Sequence, residues 1–93
     1  MTQGTTIIIH VDYDHKYSQF VIRKEIKGFA SLSEEDYNPQ WVKAPYLHGK
    51  DLTTELAIRD RLIQLVAPEA QQWSLTAAAK QMIQEIVLFN LED

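Results

Sequence analysis

TTIIIHVDYDHKYSQFVIRKEI, residues 5–26, decides the fold, because it alternates apolar and polar side chains in two runs broken once, at Asp14-His15-Lys16-Tyr17. Successive side chains of a strand point to opposite faces, so Ile7, Ile9, Val11 and Tyr13 fall on one side and Thr6, Ile8, His10 and Asp12 on the other. The second run sets Phe20, Ile22 and Ile26 against Val21, Arg23, Glu25 and Lys27, and its β-branched residues suit a pleated surface. The pattern predicts an antiparallel β-hairpin over about 5–13 and 19–27. With a four-residue loop at 14–17, Val11 pairs with Phe20, Ile9 with Ile22, and His10 stands opposite Val21. A register displaced by two keeps the same faces and sets His10 opposite Arg23.

Two strands alone are marginal in water, so the greasy side of the hairpin requires a cover. After Gly49-Lys50, Asp51 or Thr53 offers a cap for a helix over about 52–66, with Leu52, Leu56, Ile58, Leu62, Ile63, Leu65 and Val66 as a wide apolar stripe and Glu55–Arg59 as an i,i+4 pair. Pro68 ends it. Ser74 or Thr76 then caps a second helix over about 75–90, in which Ala79, Met82, Ile83, Ile86 and Phe89 recur at helical spacing. The expected fold class is α+β: an N-terminal hairpin, an aromatic-rich connection over 28–50 carrying a short helix or an edge strand, and two C-terminal helices packed on the sheet.

That connection holds Phe29, Tyr37, Trp41 and Tyr46 with Pro39 and Pro45, and four aromatic residues argue against a solvated linker. One reading has Ser33 capping a turn through Tyr37, with 41–46 running extended along the sheet or over the helices. The other makes Phe29, Tyr37, Trp41 and Tyr46 a partner-binding surface, since rigid aromatic side chains supply much of the energy at interfaces.

Length and charge narrow the function. Ninety-three residues with 45% hydrophobic side chains suffice for one modest core, so the expected organisation is one small α+β domain over 1–93. The absence of cysteine removes disulfides, thiolate ligands and a cysteine nucleophile. Residues 1–50 carry six basic and six acidic side chains, and residues 51–93 carry three and seven, so the formal charge of −4 belongs to the second half. Arg23, Lys24 and Lys27 are a thin cationic cluster, which disfavours nucleic acid as a partner. No apolar run is long enough for a membrane span and the N-terminus lacks a signal-peptide pattern, so a cytoplasmic location without membrane contact is expected.

The chemistry-bearing residues concentrate near the first bend. His10, Asp12, Asp14 and His15 offer imidazole and carboxylate, the ligands a cysteine-free chain would use for zinc, manganese or iron, with His48 as a distant addition. A structural reading stands beside this one: Asp14 makes an Asx-type turn bond and His15 sits exposed at the tip. Ser18, His15 and Asp14 are neighbours on one tight loop and lack the braced separation of a catalytic triad. Gly49-Lys50 departs from a phosphate-binding loop, with Ala44 at the upstream glycine position and Asp51 in place of the hydroxyl.

The sequence therefore leads to an expected non-catalytic, acidic protein–protein interaction or regulatory module, self-associating as a homodimer or other homo-oligomer and taking another protein as partner, with no cofactor. The alternative is a small metal-binding protein or metal-dependent enzyme built on the His/Asp cluster.

Overall fold

The two alternating runs form the centre of a mixed sheet. A computed structural model describes residues 6–27, 33–35 and 39–92. In chain order they form β1 (Thr6–Asp14), β2 (Gln19–Lys27), β3 (Ser33–Glu35), β4 (Gln40–Lys43), a 3₁₀ turn (Ala44–Leu47), α1 (Glu55–Val66), β5 (Gln72–Leu75) and α2 (Ala77–Glu92). β1 and β2 pair antiparallel, β5 lies parallel to β1 on its other side, and β3 and β4 share the outer edge of β2, pairing antiparallel with its two ends. The segment 33–35 is thus a strand and not the start of a capped turn; of the expected extended stretch 41–46, Trp41–Lys43 belong to the edge strand β4, whereas 44–46 wind into the 3₁₀ turn that Pro45 favours.

The hairpin takes the second of the two face-preserving registers. Tyr13 opposes Phe20, Val11 opposes Ile22 and His10 opposes Arg23, so the four-residue loop is His15 to Ser18 rather than Asp14 to Tyr17. Two local features favour the displacement. The Lys16 N–H donates to Asp14 Oδ1 at 2.9 Å, an Asx-type bond that initiates the bend. Ser18, at φ 54°, adopts the left-handed conformation that closes the loop without glycine. Across the strands the Tyr13 and Phe20 rings meet edge to face, 4.9 Å between centroids, which adds to their burial.

Both helices cover the same face. Ile9, Val11, Tyr13, Phe20 and Ile22 of the hairpin are buried together with Ile58 and Leu62 of α1 and Ala79, Ile83 and Ile86 of α2, and Leu47 and Leu52 close one end. Each fully buried aliphatic or aromatic side chain contributes roughly 1.5–3 kcal/mol, so this layer is the main source of stability. α1 starts three residues later than the sequence suggests because Thr54 is its cap, its Oγ1 accepting from the Ala57 N–H at 3.1 Å. Arg59 turns to Asp60 at 3.1 Å, not to Glu55. α2 is capped by Thr76, whose Oγ1 accepts from the Ala79 N–H at 3.2 Å.

A second strand that the sequence did not foretell, after β3, is β5. Because β4, β1 and β5 run in one direction, α1 acts as the crossover that carries the chain from one edge of the sheet to the other over its helical face. Trp73 and Leu75 pack against the core, and Gln72 and Ser74 are exposed on the other side.

Candidate functional site

With both helices on one face, the opposite face of β1, β2 and β5 carries mostly polar side chains, with Ile8 and Val21 among them. His10 occupies its middle, between Arg23 of β2 and Ser74 of β5 in the strand register. Its Nε2 lies 2.6 Å from Oε1 of Glu25, a half-buried contact between an imidazole and a carboxylate. Two residues along, Asp12 Oδ1 accepts from its neighbour's backbone, the Tyr13 N–H at 2.8 Å, and from the Thr76 hydroxyl at 2.8 Å. His10, Asp12, Val21, Arg23, Ser74 and Thr76 line a shallow groove of about 190 Å³. Burial alternates along β1 as the strand period requires, and this is why His10 and Asp12 look away from the core.

The four residues singled out for metal binding are therefore distributed over different tasks. His10 and Asp12 share the open face but bond Glu25 and Thr76, Asp14 holds the Lys16 N–H, and His15 lies edge-on to the Tyr13 ring at 5.0 Å. His48 stacks on Phe89, 4.4 Å between ring centroids. Among the described residues no three histidine, cysteine or acidic side chains are grouped to hold a metal ion. Thr76, which lines the groove, and Glu25, which bonds His10 beside it, are not among the residues the sequence singles out. Glu25 becomes a diagonal neighbour of His10 only in the observed register, and Thr76 reaches Asp12 only because β5 lies beside β1.

The aromatic candidates form a second site. Trp41 on β4 and Tyr46 in the 3₁₀ turn are 49% and 64% exposed, so neither serves the core. They stand around a groove of about 230 Å³ also lined by Gln40, Val42, Leu65 and Val66. Pro45 in the turn fixes the backbone between the two rings, and Leu65, itself half exposed, adds an aliphatic wall from the end of α1. Phe29 and Tyr37, the other two predicted contact residues, lie outside the described residues.

No helix among the described residues is long and apolar enough to cross a membrane. Comparison of the chain with protein-family models, with curated proteins and with solved structures finds no match.

Proposed function

We propose that the protein is a non-catalytic protein-interaction module that seats part of another protein in the groove between Trp41, Tyr46, Leu65 and Val66. The observation that carries this reading is the exposure of both aromatic rings beside an aliphatic wall, outside the buried core of the described residues. Exposed rigid aromatics around a concave apolar surface are the usual anchors of a protein interface, since they bring large contact area at small entropic cost. The polar groove around His10 supports the metal alternative less well, because its histidine and aspartate already have partners in Glu25 and Thr76.

The test is affinity capture from the source cells with wild type and with the double variant Trp41→Ala/Tyr46→Ser as paired baits. A partner retained by wild type and lost by the variant, whose melting temperature stays within about 2 °C because the removed side chains are exposed, is the expected outcome. The same partners at the same yield from both baits would remove the aromatic groove from the function.

A further inference from the structure

α2 lays one apolar stripe on the core and leaves a shorter apolar strip, Leu88 and Leu91, exposed on another side. Its buried residues, Ala79, Ile83, Ile86 and Asn90, recur at i, i+4, i+7 and i+11 and form the stripe laid on the core. Gln84, Val87, Leu88 and Leu91 recur at i, i+3, i+4 and i+7, and the helical period sends Leu88 out nearly opposite to the buried stripe. Leu88 and Leu91 are each 59% exposed. Glu55 from the first turn of α1, with Gln84, Val87 and Leu88, lines a groove of about 320 Å³ between the helices. An exposed apolar strip rimmed by charge marks a docking surface.

The charge of the rim selects the occupant. Glu55 stands on one flank of the strip, and exposed Glu85 and Glu92 follow the other. Of the three basic residues in 51–93, Arg59 and Arg61 already face Asp60 and Asp51, and Lys80, one helical turn before Gln84, is the single cation beside the strip against Glu55, Glu85 and Glu92. A second copy of the chain would bring the same acidic rim against itself. We infer that the outer face of α2 receives an amphipathic helix of another protein, with apolar residues at i, i+3 or i+4 and i+7 and with lysine or arginine on both flanks. This surface is separate from the Trp41 groove and does not depend on it.

The experiment is fluorescence anisotropy of an 18-residue synthetic helix with leucines at that spacing and flanking lysines, beside a control carrying glutamates in the lysine positions. The lysine-flanked peptide binds wild type and weakens with salt. Leu88→Ser/Leu91→Ser, which leaves the net charge unchanged and alters only exposed positions, weakens it about tenfold or more, the effect of losing interface anchors. Glu55→Gln/Glu85→Gln weakens it and flattens the salt dependence, whereas Trp41→Ala leaves it unaltered. Equal binding by the leucine variant, equal binding of the glutamate-flanked peptide, or loss of binding in Trp41→Ala would overturn the proposal. So would a wild-type dimer in sedimentation velocity that Leu88→Ser/Leu91→Ser converts to monomer, because the occupant would then be a second copy.

Discussion

The side-chain amide of Asn90 closes on the main-chain carbonyl of Leu52, Nδ2 donating to the oxygen at 2.6 Å. The same amide group donates to Leu47 O at 3.1 Å, and its Oδ1 accepts from the Gly49 N–H at 3.1 Å. One buried polar residue in the final turns of α2 thus ties down the segment leading from the 3₁₀ turn to α1. Replacing Asn90 with leucine removes a partner from three backbone groups at once, and the expected loss is about 2–4 kcal/mol in urea denaturation. Asn90→Asp is expected to cost at least as much, because a carboxylate presents no donor to the two carbonyl oxygens. A loss below about 0.5 kcal/mol for Asn90→Leu would show that water or a rearranged loop satisfies these groups.

The hairpin loop allows a test in the stabilising direction. Ser18 holds φ at 54°, where a side chain is strained and glycine is not. Ser18→Gly is therefore expected to stabilise by a few tenths to about 1 kcal/mol, despite the greater freedom of glycine in the unfolded chain. Asp14→Ala, which removes the bond to the Lys16 N–H, is expected to destabilise by about 0.5–1.5 kcal/mol. Thermal unfolding of the two variants in parallel checks both signs. A destabilised Ser18→Gly would mean that the left-handed turn is not the dominant conformation in solution.

Thr76 serves α2 and the polar groove together. Its Oγ1 accepts from the Ala79 N–H at 3.2 Å and donates to Asp12 Oδ1 at 2.8 Å, so the helix cap is joined to the open face of β1. Thr76→Val keeps the shape and removes both bonds, with an expected cost of about 1–2 kcal/mol, at the upper end of cap substitutions. Thr76→Ser is expected to restore most of it. A double-mutant cycle with Asp12→Ala separates the two roles: coupling near zero would assign the whole effect to the cap.

How much of this was readable in advance follows from the length of each signal. β1 and β2 carry nine residues of alternation each, enough to fix their faces, but two registers preserve those faces and the choice between them rested on Asp14 and Ser18. β5 has four residues, Gln72-Trp73-Ser74-Leu75, and two apolar positions cannot be told from a loop before a helix cap. Its parallel pairing with β1 is a tertiary fact with no local signature. The groove around His10 inherited that gap, since Ser74 and Thr76 come from the missed strand and the residue following it. Trp41 and Tyr46 were visible as aromatic residues, but their exposure depends on where α1 ends against β4.

Acid should weaken a link between the core edge and the loop before β5. Lys24 lies opposite Ile9 in the hairpin and its Nζ donates to Glu69 Oε2 at 2.9 Å. That hydrogen bond, seconded by a backbone bond and the lysine charge, holds the Glu69 carboxyl below the usual glutamate range. A carboxyl whose folded value lies below its unfolded one, near 4.3, contributes stability that is full above the unfolded value and is lost as pH falls through the folded one. Glu69→Gln is therefore expected to be less stable than wild type at about pH 6–7 and to converge with it as the pH falls through the lowered folded value of Glu69, below which both side chains are neutral. The difference is small, because exposed pairs are screened, and should shrink further in about 0.5 M salt. Melting temperatures of both proteins from about pH 3 to pH 7 give the comparison, and a gap that stays constant over that range would mean that the carboxylate charge at Glu69 contributes nothing to folding.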